Sequence, residues 1–409
     1  MNEHIRKQFS ALQRKINGQS ITFLDGPAGT QVPDMVINAI SNYYRKSNAN
    51  THGQFQTTIE TDEVMQSTRD HCATFLNAES GHCISFGQNM TSLNFSLSRA
   101  VGRKLNPGDE ILITQLDHES NRGPWLALRD SGIKVNEVAL TKEGRLDYED
   151  FDKKINSNVR LVAMGVASNY TGCINDVAFA RQKTYEVGSW LLLDAVHYAP
   201  HFSIDVKAMD CDFLLCSAYK FYGPHVGILY SKQGLLDQLP TDRLRTAYQH
   251  APYKIETGTL NHAAIAGVKA SIEFIARMSD EDTLRGQIVD SLSLIGSHEA
   301  QLLTQLYQYI NESSKYHIVG PDLSGQRAPT LSFYAEGIEA VDICKRLNEH
   351  NIFAWAGHFY AIRASEILGM QARGGVVRMG MSVYSSKEDI DKTIQVLYQM
   401  ESSLGLLLQ

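Results

Sequence analysis

Two short apolar runs constrain this chain more than anything else in it. Leu191-Leu192-Leu193 leads into Asp194-Ala195-Val196-His197, and Phe213-Leu214-Leu215-Cys216 leads into Ser217-Ala218-Tyr219-Lys220-Phe221-Tyr222-Gly223-Pro224. Each run is too short for a typical helix and lacks polar alternation, so it reads as a strand buried on both faces. The polar residues that end the runs then stand at strand mouths, where open α/β sheets bind their ligands.

Adjacent strands lie about 4.8 Å apart, so a carboxylate at one mouth and an amine just past the next can hold two sides of one flat ligand. Pyridoxal phosphate needs such a pair: an amine to form an imine with its aldehyde, and an acid against its ring nitrogen. Asp194 would keep that nitrogen protonated, because an opposite charge favours the charged form. Lys220, desolvated and near a cation, would have a lowered pKa and act as a nucleophile. Taken singly, each has a plain alternative, a helix cap for Asp194 and a turn residue for Lys220.

The remaining chain supports an α/β fold. Strands are expected at residues 82–86, 109–114, 134–140 and 161–166, alternating with helices, which indicates a mostly parallel sheet. His118, Asn169, Asp194 and Lys220 all follow strands. Gly87-Gln88-Asn89-Met90-Thr91 is a strand-to-helix turn whose free amides can hold a phosphate, an ordinary N-cap being the alternative. His118 offers a flat ring to stack on a cofactor, and Asn169 a donor for a phenolate oxygen or a carboxylate. His52 lies in the polar loop 47–53 and could line a site or be solvated.

The pattern changes after residue 230. A loop at 253–261 precedes long helical spacing through Ile272 and Ile275, then Ile288 to Ile310. Strands at 329–333, 352–355 and 375–382 alternate with helices at 340–347 and 386–400, an α+β unit. Arg378 interrupts an apolar strand, so its fork is expected to face a cleft and bind a carboxylate. At the start, Ile5, Phe9, Leu12 and Ile16 are spaced for one amphipathic helix over residues 1–20. At 409 residues, two domains are expected: a large one over 20–262, and a smaller α+β one from 1–19 and 263–409.

Composition narrows the function classes. The six cysteines, Cys72, Cys83, Cys173, Cys211, Cys216 and Cys344, form no Cys-x-x-Cys pair, which argues against a disulfide framework or zinc site. Pro200 between His197 and His201 disfavours a helical metal pair. A net charge of −7 without a basic stripe argues against a nucleic-acid partner. No apolar run approaches the ~20 residues of a membrane span, and the first residues lack a signal peptide's apolar core. A cytoplasmic location without membrane attachment is expected.

Asn169, Asp194-x-x-His197, Ser217-x-x-Lys220 running into Tyr222-Gly223-Pro224, Gly258-Thr259 and the Arg378 strand together resemble class V pyridoxal-phosphate enzymes, specifically the cysteine-desulfurase-like branch. The likeness spans nearly the whole chain. It implies a fold type I homodimer: a large domain with a mostly parallel seven-stranded sheet, a smaller α+β domain and active sites at the subunit boundary. It makes Lys220 the imine-forming lysine and general acid/base, and Asp194 the partner of the pyridine nitrogen. His197 would stand near the phenolate oxygen and His118 would stack on the ring. Asn89 and Met90 would hold the phosphate, with Ser217 helping and Thr259 reaching in from the other subunit. Asn169 and Arg378 would orient the substrate carboxylate, with His52 and Tyr360 as further substrate contacts.

The departures from that branch matter equally. Ala356-Gly357-His358-Phe359-Tyr360-Ala361 aligns with the loop that carries the desulfurase cysteine, and Tyr360 takes the cysteine's position. Trp355 replaces an arginine before the loop, and Tyr219 replaces the histidine before the lysine. A phenol accepts no sulfur atom to form a persulfide. The expected function is therefore a pyridoxal-phosphate enzyme acting on an amino acid through an external aldimine, with β-elimination at a sulfur-containing amino acid favoured over persulfide formation. Transamination, epimerisation and a non-catalytic cofactor-binding protein are the alternatives.

Overall fold

The computed structural model describes residues 3–407. A seven-stranded sheet is formed by β1 (Ile84–Gly87), β2 (Glu110–Thr114), β3 (Lys134–Val138), β4 (Val159–Gly165), β5 (Trp190–Asp194), β6 (Phe213–Ser217) and β7 (Gly227–Ser231). In space the order is β1-β7-β6-β5-β4-β2-β3, and only β7 runs against its neighbours.

The continuous apolar runs follow from how this sheet is covered. Leu191, Leu193, Leu214 and Cys216 enter one hydrophobic cluster, whereas Leu192, Phe213 and Leu215 enter another on the opposite face. Both faces of a strand are dry, so side-chain alternation carries no polar period. The first cluster includes Met65, Cys72, Phe75 and Leu76 of helix α2 (Gln56–Leu76), which follows α1 (Asp34–Lys46). The second includes Leu93, Leu97 and Val101 of α3 (Met90–Gly102).

A second, antiparallel sheet consists of β8 (Tyr316–Val319), β9 (Thr330–Ala335), β10 (Trp355–Gly357) and β11 (Val376–Gly380), in the order β8-β9-β11-β10. Two helices lead to it, α4 (His262–Ala276) and α5 (Leu284–Glu312). α4 and the first half of α5, through Ile295, share the core of the large sheet. From Leu302 onward α5 packs with the small sheet. The hydrophobic packing thus changes over inside α5. No helix among the described residues is long and apolar enough to cross a membrane.

Two local expectations are corrected. The amphipathic helix over residues 1–20, whose first two residues lie outside the described ones, is a short helix Glu3–Arg6, a 3-10 turn Ser10–Gln13 and a hairpin from Lys15–Ile16 to Gln19–Ser20. Asn17 and Gly18 both have positive φ, 51° and 78°, the geometry a two-residue Asn-Gly hairpin turn requires. Phe9 is still buried, edge-on to Tyr222, Phe274 and Tyr384, so helical spacing had identified buried residues without identifying a helix. The single strand expected at 352–355 is two: Ile352–Phe353 pairs with Thr22–Phe23, and β10 begins at Trp355 in the other sheet.

The start of α3 is fixed against the sheet by one close approach. Asn89 is its N-cap, accepting from the Ser92 amide at 2.9 Å in a reciprocal capping box. Gly227 at the head of β7 lies so near that a Cβ would run into the Asn89 backbone. We expect Gly227→Ala to destabilise the chain by about 2–3 kcal/mol, read as a lower denaturant midpoint; an unchanged midpoint would contradict this packing.

Candidate functional site

The parallel strands deliver their polar ends to one edge. Asp117 and His118 follow β2, Asn169 follows β4, Asp194 ends β5, Ser217 ends β6, and Lys220 lies on the 3-10 turn that follows. All six line one cavity of about 1080 Å³, together with Asn89, Met90, His197, Tyr360 and Arg378. Arg378 comes from the middle of β11, so the second sheet closes one wall of a cavity built by the first.

Burial governs the charges here. Burial and the nearby Arg378 guanidinium push the Lys220 amine down to about 7, with Asp194 acting the other way. The Lys220 Nζ donates to the Pro27 carbonyl at 2.5 Å, on a short 3-10 turn Gly26–Ala28. Asp194 is raised to about 6 by burial, opposed by the Val196 amide it accepts at 2.9 Å and by Lys220. His118 is pushed down to about 4 by burial, Lys220 and Arg378. Its Nδ1 accepts from the Ser120 amide at 3.0 Å, which leaves a neutral ring with its proton on Nε2. Arg378 falls to about 9 through burial and stays charged at neutral pH.

The loop after β10 covers part of the cavity. Tyr360 stacks on His118 with ring centroids 5.3 Å apart, and its carbonyl accepts from the Glu119 amide at 2.7 Å. Asn169 Nδ2 donates to the Phe359 carbonyl at 2.9 Å, and the Arg378 guanidinium lies 4.0 Å from the Phe359 ring centre. One loop residue thus engages both groups expected to bind a carboxylate. Phe359 and Tyr360 both have positive φ, 51° and 60°, a conformation costing about 1–2 kcal/mol for each such residue.

Two expected site residues lie apart from this cavity within the single chain. His52 sits 3.4 Å from Asp62 and edge-on to Tyr248, and Thr259 is exposed on the loop before α4. Conversely, sequence reading gave no role to Asp117. Its carboxylate accepts from the Gly165 amide at 2.8 Å and Asn121 Nδ2 at 3.0 Å, and burial, with the Asp194 charge adding to it, raises it to about 7. Its position directly before His118 was the available signal.

Residues 22–393 match the profile of the Aminotransferase class-V family. The chain belongs to that family. It is 28% identical to the cysteine desulfurase of Serratia proteamaculans over 419 aligned positions, covering 98% of this chain and 99% of that protein. A probable cysteine desulfurase of Vibrio cholerae is 29% identical, covering 97% of both. Among solved structures, a cysteine desulfurase from Thermococcus onnurineus superposes with a TM-score of 0.87 at 26% identity, covering 98% of this chain and all of that one. One from Escherichia coli gives 0.86 at 27% identity, covering 98% of both. The fold is therefore type I, and the chain is a cysteine-desulfurase-like class V enzyme that depends on pyridoxal 5'-phosphate.

The cavity fits that cofactor on its own chemistry. A buried carboxylate and a destabilised ammonium leave adjacent strands toward one space, and the start of α3 opens onto the same space. There the Met90 amide donates to Ser217 Oγ at 3.0 Å, while the Thr91 amide has no acceptor among the described residues. An open helix start beside a hydroxyl is suited to a phosphate.

The Asp117 shift gives a pH test. Its folded pKa lies above its unfolded one, so between about pH 4 and 7 the folded state binds the extra proton, and stability falls as pH rises through that window. Asp117→Asn removes this dependence. We expect the variant's stability relative to wild type, measured by denaturation without cofactor, to improve by roughly 1 kcal/mol per pH unit from 4 to 7. A constant difference would contradict the raised carboxyl.

Proposed function

We propose that this enzyme acts on an amino acid to eliminate a sulfur-bearing β-substituent rather than to build a persulfide on its own loop. The observation that carries the reading is the make-up of the cavity wall. Where the related loop would supply a thiol, Tyr360 lies over His118, and none of the six cysteines lines the cavity. Cys72, Cys173, Cys211 and Cys216 are buried, with burial pushing their thiols up, away from the nucleophilic thiolate.

Bound pyridoxal phosphate supplies an aldehyde for imine formation and a ring that draws electrons from the substrate α-carbon. The chain's residues supply the rest. Asp194 would hold the proton on the ring nitrogen. Lys220, its amine held down to about 7 by burial and by Arg378, would take and return the α-proton. Asn89, Met90 and Ser217 would hold the phosphate, His118 would stack on the ring, and His197 would serve the phenolate oxygen. Asn169 and Arg378 take the substrate carboxylate, displacing the Phe359 contacts. Thr259, exposed and outside the cavity of its own chain, acts on the site of a second copy in a homodimer, and His52 adds a substrate contact.

Lys220→Ala is expected to abolish the visible absorbance of the lysine-bound cofactor and α-proton exchange in deuterated water; retention of both would remove Lys220 from its role. With cysteine or its S-substituted derivatives, wild-type enzyme should release pyruvate together with sulfide or a thiol. Alanine as the main product would instead indicate desulfuration, and a keto acid retaining the side chain would indicate transamination.

A further inference from the structure

The cavity's second histidine is tied to the small sheet by a single hydrogen bond. His197 Nε2 lies 2.9 Å from Oγ1 of Thr330, the first residue of β9. Both residues are buried, at 5% and 0% exposure. The Thr330 backbone is otherwise engaged: its amide donates to the Ala328 carbonyl at 2.7 Å, and its carbonyl accepts from Arg327 Nη2 at 2.8 Å. Its hydroxyl has no other polar partner among the described residues.

A hydroxyl sealed from water with one polar neighbour has one satisfying arrangement. It must donate, because accepting from the ring would leave its own hydrogen buried without an acceptor. His197 Nε2 is then the acceptor and carries no proton. The ring is neutral, since burial, with His201, Lys220 and Arg378 nearby, pushes it well below the usual histidine value. Its one N–H is therefore on Nδ1, which has no hydrogen-bond partner among the described residues, and the ring lines the cavity. His201 does not compete: it stands edge-on at 5.6 Å and is held through its own Nδ1 by Glu299 at 2.7 Å.

We infer that Thr330 is a positioning residue that fixes His197 in the Nδ1–H tautomer, making the cavity face of the imidazole an obligatory hydrogen-bond donor. Free histidine in water prefers the other tautomer, so the choice is imposed by β9. On the reading proposed above, the donor serves the cofactor's phenolate oxygen, and a residue of the small sheet thereby tunes a group held by the large one. The tautomer itself does not depend on that reading.

The test is long-range proton–nitrogen correlation of the histidine rings in the full 15N-labelled chain without cofactor, with His197 identified by its loss in His197→Gln. Wild type should show a protonated, pyrrole-type Nδ1 and a bare, pyridine-type Nε2. Thr330→Ser should keep that pattern, and Thr330→Val should shift it toward Nε2–H or a mixture. A protonated Nε2 in wild type, or an unchanged pattern in Thr330→Val, would overturn the inference, and the wild-type spectrum decides even if the valine variant folds poorly. In cofactor-loaded protein, the pH at which the lysine-bound cofactor changes colour should move in Thr330→Val and be restored in Thr330→Ser. Failure to load cofactor would sink the functional reading while leaving the tautomer measurement intact.

Discussion

An ammonium group withdrawn from water beside a fixed guanidinium is the interaction on which the site depends. Lys220 is carried to the rim by β6, and Arg378 is carried to the same space by β11 of the other sheet. Neither position alone makes a reactive amine. Desolvation lowers the lysine, the arginine lowers it further, and Asp194 limits the fall. The relative placement of the two sheets is therefore part of the chemistry, and α5, which shares both cores, holds that placement.

The same burial acts on four other ionisable groups of the cavity. Asp194 and Asp117 are raised, while His118 and His197 are lowered, burial being the main cause in each case. The two histidines are neutral but differ in tautomer, His118 accepting through Nδ1 and His197 through Nε2. The donors of the two rings are thus fixed by the Ser120 amide and by Thr330. The loop at 355–361 adds strained aromatic cover, held by Asn169, Glu119 and the His118 stack. Strain held by contacts that a ligand replaces is a natural source of loop movement.

Much of this was legible in the sequence because buried parallel strands leave a plain signature. The runs at 191–193 and 213–216 are apolar on both faces since each alternate residue enters a different core, and the polar residues at their ends have nowhere to go but the rim. Lys220, Asp194, His118 and Asn169 were expected at the rim for this reason, and Arg378 because it interrupts an apolar strand; all five line the one cavity. What escaped depends on long-range contact. Thr330 and Phe359 matter through the groups they touch across the fold, and nothing in their neighbours announces it. The N-terminal stretch misled for a related reason: Phe9 is placed by Tyr222, Phe274 and Tyr384, far along the chain, while Asn17-Gly18 gave a local turn signal that helical spacing obscured. His52 and Thr259 lie outside the cavity in one chain, and no single-chain geometry brings them to it.

The account stands or falls on the proton affinity of Lys220 before any cofactor binds. The direct measurement is the pH dependence of its modification by an amine-selective reagent in the cofactor-free chain, followed by mass spectrometry of the Lys220 peptide against surface lysines. The account predicts that Lys220 becomes reactive through a midpoint near 7, well below the others. A midpoint shared with the surface lysines would contradict it.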